Sequence, residues 1–94
     1  MNPNAIIKWF PEEEGGRKTI MPAGMRYCPI IVLDNKQSDT TLWSAAVFNI
    51  SLNDRITKSR VTYLSNDAPM EDLVSGATFS LFESGTKVAT GVFI

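Results

Sequence analysis

Six short segments whose apolar residues recur with a period of two, each closed by a turn signal, constrain this chain more than any other feature. "NAIIKWF" sets Ala5, Ile7 and Trp9 on one face and Ile6, Lys8 and Phe10 on the other. "RYCPIIVL" is almost continuously apolar, as a strand covered on both sides would be. "LWSAAVFNISL" places Ala46, Phe48, Ile50 and Leu52 on one side, with Val47, Asn49 and Ser51 opposite. "SRVTYLS" puts Val61 with Tyr63, and "ATFSLFE" offers Phe79 and Leu81 inward with Thr78 and Ser80 outward. "KVATGVFI" groups Val88, Val92 and Ile94. Turn signals lie between them at Gly15-Gly16, Asp34-Asn35, Asn53-Asp54, Asn66-Asp67, Gly76 and Ser84-Gly85. "ESGT" reads as a tight hairpin, and "NKQSDTT" (35–41) as an exposed loop. One helical turn is expected in "DAPMEDLVSG", with Pro69 at its first position and Gly76 ending it.

Six strands within 94 residues, and no further segment to cover an open sheet, favour closure, which removes the exposed edges. The expected fold is all-β: one domain over residues 1–94, a small six-stranded antiparallel, Greek-key-like β-barrel. A two-sheet sandwich is the alternative that periodicity alone leaves open. A chain of this size buries roughly 60–65% of its unfolded surface, enough to fold without staples.

Composition narrows the chemistry. The formal net charge is −1, so polyanion binding would need a local patch. The chain has one cysteine and no histidine. That excludes an internal disulfide, a histidine-based triad and a zinc set, and catalysis is not expected. Cys28 is expected as a small buried hydrophobe. Glu12–Glu14 lack the dispersed oxygen ligands of a calcium loop, so no metal or other cofactor is expected. No apolar run approaches the roughly 20 residues that span a bilayer, and "MNPNAIIKWF" lacks the features of a signal peptide. A cytoplasmic protein without membrane contact is the expectation.

The stretch "EEEGGRKTIMPAGMRYCP" is the first candidate site. The Gly15-Gly16 turn could offer successive N–H groups to an anion, with Arg17, Lys18 and Thr19 completing a phosphate contact. It could equally be an inter-strand turn in which Arg17 pairs with Glu12, Glu13 or Glu14. Arg26 is either a further contact or a tie between loop and barrel. "NDRITKSR" gathers Arg55, Lys58 and Arg60, as a phosphate-contacting patch or a solvated turn.

The stretch "EEGGRKTIMPAGMRYCPIIV" resembles the opening of the third, C-terminal β-barrel domain of elongation factor Tu and related translational GTPases. Glu14, Gly15, Gly16, Arg17 and Thr19 match that family's acid-Gly-Gly-Arg-His-Thr, with Lys18 in place of the histidine. Gly24 and Arg26 also match, while Met25, Tyr27 and Cys28 replace its tyrosine, proline and glutamine. "LVSGATFSLFESGTKVATGVFI" is similar to the family's closing hairpin through Gly76, Phe79, Glu83, Gly85, Val88, Gly91 and Val92. Residues 34–68 share only the strand rhythm. The family often carries an arginine at the hairpin turn. Here Ser84 and Thr86 occupy that turn, and Lys87 follows on the other face.

The resemblance implies binding roles alone, because the family's nucleotide site lies in a separate domain whose phosphate loop has no counterpart here. The family's third domain contacts tRNA backbone, packs on the GTPase domain and receives an exchange factor. Two functions follow. The first is a non-catalytic protein-interaction module, favoured by the near-neutral charge, the acids at 12–14 and the lost arginine. The alternative is an RNA-backbone binder, with tRNA or another RNA held by Gly15, Gly16, Arg17, Lys18, Thr19 and Arg26, and Lys87 nearby.

Overall fold

The alternating segments become strands that close on one another. A computed structural model describes residues 4–36 and 42–94. The strands are β1 (Asn4–Trp9), β2 (Arg26–Tyr27), β3 (Ile30–Leu33), β4 (Trp43–Asn53), β5 (Ile56–Tyr63), β6 (Thr78–Glu83) and β7 (Thr86–Phe93). Their order β4-β3-β6-β7-β1-β5 returns to β4 through the β4–β5 pairing, and every pairing is antiparallel. The result is a closed six-stranded antiparallel β-barrel, consistent with the Greek-key barrels. β2 lies in line with β3 along the same edge of β4, pairing in one register at Arg26↔Phe48 and Tyr27↔Val47 and then at Ile30↔Ser44 and Ile31↔Trp43.

Two-residue turns close the β4–β5 and β6–β7 hairpins, at Asp54-Arg55 and Ser84-Gly85. At the β6–β7 hairpin, Ser84 and Gly85 both take positive φ (51° and 80°), the backbone that lets two strands twist together through two residues. Three short 3₁₀ turns, at Glu12–Glu14, Asp34–Lys36 and Met70–Asp72, occupy the connections. Pro69 sits just before the last of these rather than inside it. Most of the expected loop at 35–41 lies outside the described residues.

The barrel interior holds Ala5, Ile7 and Trp9 of β1, Phe79 and Leu81 of β6, Val61 and Tyr63 of β5, and Phe93 of β7. Phe79 and Phe93 meet at 4.8 Å between ring centroids, and Trp9 meets Tyr27 at 5.7 Å. Each such side chain contributes roughly 1.5–3 kcal/mol by leaving water. A polar chain threads the same interior. Trp9 Nε1 donates to Thr57 Oγ1 (2.9 Å), which meets Ser59 Oγ (2.9 Å). Ser59 donates to Asn49 Oδ1 (2.7 Å), and Asn49 Nδ2 donates to the Met21 carbonyl (2.8 Å). No buried side-chain nitrogen or oxygen among the described residues lacks a partner, which makes a polar string tolerable in an apolar barrel.

Three expectations are corrected. In β4 the face turned inward is Ala45, Val47 and Asn49, while Phe48 and Ile50 look outward. A bulge after Asn49 then returns Leu52 to the side of Thr57, so the four apolar residues do not share one face. In β7 a bulge sets Leu81 against Ala89 and Phe82 against Lys87, leaving Val88 as the extra residue. Val88 and Ala89 are both buried, Phe93 points inward, and Val92 and Ile94 do not follow Val88. Cys28 is exposed, because Tyr27 takes the inward position beside it and alternation turns the next residue out.

Candidate functional site at the loop and the closing hairpin

The chain leaves β1 at one end of the barrel and crosses that end before returning along β4. Pro11 starts a 3₁₀ turn of three glutamates, and Gly15 ends it in the left-handed region at φ 92°. The backbone is closed on itself here. The N–H of Glu14 and that of Gly16 both donate to the Pro11 carbonyl, and the N–H of Gly15 donates to the Glu12 carbonyl, each at 3.0 Å. The Gly-Gly N–H groups are therefore already engaged. Gly16 has a separate reason to be glycine: a Cβ there would lie 1.8 Å from the Phe10 carbonyl oxygen.

Arg17 turns away from the acids beside it and toward the closing hairpin. Its Nη1 lies 2.6 Å from Glu83 Oε2, its Nε donates to the Thr19 carbonyl at 3.2 Å, and its guanidinium lies 4.5 Å from the Tyr27 ring centroid. Tyr27 also donates its hydroxyl to Glu83 Oε2. One carboxylate oxygen thus gathers a guanidinium and a phenol from two distant parts of the chain. The Tyr27 hydrogen bond, with Arg17 beside it, holds the Glu83 carboxyl below the ordinary range against the opposing effect of burial. Burial, and then the Glu83 bond, push the Tyr27 hydroxyl up to about 12.

Arg55, in the β4–β5 turn, fastens the same loop from the opposite side. Its Nη1 donates to the carbonyls of Phe10 and Arg17, each at 3.0 Å, and its Nη2 to that of Lys18 at 3.4 Å. Two arginines thus act as staples between the loop and the barrel.

The structure brings Gly15, Gly16, Arg17, Lys18 and Thr19 together at this end, with Lys18 and Thr19 exposed. Lys87 stands on the outer wall, its Nζ 6.0 Å from the Phe82 ring centroid. Arg26 is elsewhere: it extends from β2 beside Phe48 of β4. Sequence reasoning did not single out Glu83 or Tyr27 as the partners of Arg17, and no local signal could pair residues 66 positions apart. Beside the hairpin, Ile30, Val32, Leu42, Phe82 and Gly85 surround an apolar hollow of about 220 Å³ on the outer face of β3 and β6. Leu42 is 67% exposed there.

Among the described residues no group of three or more His, Cys, Asp or Glu side chains could hold a metal ion. No helix among them is long and apolar enough to cross a membrane. These features define a small β-barrel consistent with a non-catalytic module. No protein-family model matches the chain, and no curated protein does so either.

Proposed function

We propose that this barrel is a non-catalytic, cytoplasmic binding module of the kind found as the third domain of elongation factor Tu, and that it docks on a partner protein. The observation that carries the reading is the apolar hollow formed by Ile30, Val32, Leu42 and Phe82 beside a loop already closed by Arg17–Glu83 and Arg55. A rigid hairpin flanked by exposed apolar surface suits a protein partner better than a phosphate backbone. The two ends of the chain that resemble the family meet in this region, since Arg17 belongs to one motif and Glu83 to the other. The exposed, unbridged thiol of Cys28 suits a reducing compartment.

The test is affinity capture from cytoplasmic extract with the native chain and with the Leu42→Glu, Ile30→Glu variant, after both are shown to be folded. A protein retained by the first and lost from the second supports the reading. Equal capture by both, or capture by neither, opposes it.

RNA binding by the Gly-Gly-Arg-Lys-Thr loop is the second reading. It is favoured by the exposure of Lys18 and Thr19 and by the absence of an ion pair to Lys18 among the described residues. Lys18→Glu is its test, because reversing Arg17 would also break the staple to Glu83. tRNA affinity that falls with that single change supports it, and unchanged affinity opposes it.

A further inference from the structure

The outer wall of β2, β4, β5 and β1 carries cations without acids. The four strands contain no Asp or Glu. They hold Lys8, Arg26, Lys58 and Arg60, all exposed and none in an ion pair among the described residues. Their direction follows from burial. Thr57, Ser59 and Val61 point into the barrel, so Lys58 and Arg60 point out.

The registers then arrange the charges in a track. Phe48 faces Arg60 on one side and Arg26 on the other, one strand spacing of about 5 Å each way. Lys58 lies two residues before Arg60, about 7 Å along β5. Lys58 pairs with Ile6, so Lys8 lies on the diagonal, about 7–8 Å further. Beyond Lys8 the sign changes, for that side chain shares a groove with Asp34.

At the Arg60 end of the track is a cleft of about 410 Å³, lined by Ala23, Gly24, Phe48, Asn49, Ile50 and Arg60. Nothing lies within 4 Å of where a Gly24 side chain would begin, so the cleft is open on the loop side. A half-buried aromatic ring set between two arginines, in a cleft with both polar and apolar lining and a cationic line leading away, fits a base with its phosphates.

We propose that this face binds single-stranded nucleic acid. One base rests on Phe48 in the cleft, and successive phosphates follow Arg26, Arg60, Lys58 and Lys8. The cleft and the β3–β6 hollow share no lining residue, so variants of one leave the other intact and the two surfaces are tested separately. It also differs from the Gly-Gly-Arg-Lys-Thr loop, whose Arg17 and Arg55 are engaged within the protein. The net charge of −1 is unevenly spread: these four strands hold no acid, and acids flank the track at Asp34 beside Lys8 and in the Met70–Asp72 turn that contacts Thr62.

The experiment is a fluorescence-anisotropy titration with a labelled single-stranded RNA of about 12 nucleotides, a length within the usual range for one small barrel. Four phosphate contacts predict that raising salt from about 50 to 200 mM weakens binding on the order of 50-fold. Lys58→Glu with Arg60→Glu should lower affinity at least tenfold and roughly halve the salt slope. Lys58→Gln with Arg60→Gln should move it the same way by less. Phe48→Leu should weaken binding while leaving the salt slope intact. No binding at low salt overturns the proposal. So does binding that survives the Lys58/Arg60 reversal, that is lost with Lys18→Glu, that is equalled by duplex RNA of the same sequence, or that is competed equally by polyglutamate.

Discussion

Arg17, Tyr27 and Glu83 show how a residue that reads as a phosphate contact becomes part of the frame. Their hydrogen bonds join the loop after β1 to β2 and to the end of β6. The pH dependence has a definite sign on each side. Glu83 has a lowered folded pKa, so its contribution is present above the ordinary glutamate value of about 4.3 and is lost as pH falls through the lower folded value. Tyr27 has a raised folded pKa, so its contribution is full below the unfolded value of about 10 and is lost as pH rises through about 12. Denaturant unfolding followed from pH 9 upward should therefore show native stability declining in the window of about pH 10–12. Tyr27→Phe should be less stable at neutral pH and flatter across that window; an unchanged alkaline slope would contradict the assignment. Arg55→Ala should cost about 1–2 kcal/mol by freeing the carbonyls of Phe10, Arg17 and Lys18. Its check is the denaturation midpoint, and a loss below a few tenths of a kcal/mol would contradict the stapling role.

At the scale of the element, regular alternation was legible and its interruptions were not. Ala5, Ile7 and Trp9 of β1, and Phe79 and Leu81 of β6, fall inward as their spacing predicts. β4 and β7 each carry one extra residue, at Ile50 and Val88, and a bulge shifts which later side chains look inward. Nothing in "VFNISL" or "TKVATG" marks that residue, because a bulge is set by the partner strand's register as much as by its own sequence. Gly91 shows the consequence. It faces Phe79 across the β6–β7 pair, and a Cβ there would lie 2.3 Å from the ring. Gly91→Val should destabilise by about 1–3 kcal/mol through overpacking, and Phe79→Leu in the same chain should recover part of the loss. Calorimetry of the single and double variants checks this; simple additivity would mean that the ring and the glycine do not compete for one space. The candidate site was legible to the same degree. The loop residues stand out in the sequence, whereas Lys8 joins Arg26, Lys58 and Arg60 only through the register of β1 on β5.

For the whole molecule, closure leaves the barrel two unlike outer walls. The β3–β6 side is apolar beside the hairpin, and the β4–β5–β1 side is cationic around Phe48. The loop that most resembles the elongation factor motif lies at the barrel end, stapled at Arg17 and Arg55. The proposed binding surfaces are therefore the walls of the closed barrel, while the loop closes its end. The most direct test is a ¹⁵N-resolved NMR titration of the intact chain with the single-stranded RNA. Backbone shifts concentrated at Lys8, Arg26, Phe48, Lys58 and Arg60, with Gly15, Gly16 and Arg17 unmoved, are the predicted result. Shifts concentrated at Gly15–Thr19, with the cationic wall unmoved, would contradict it.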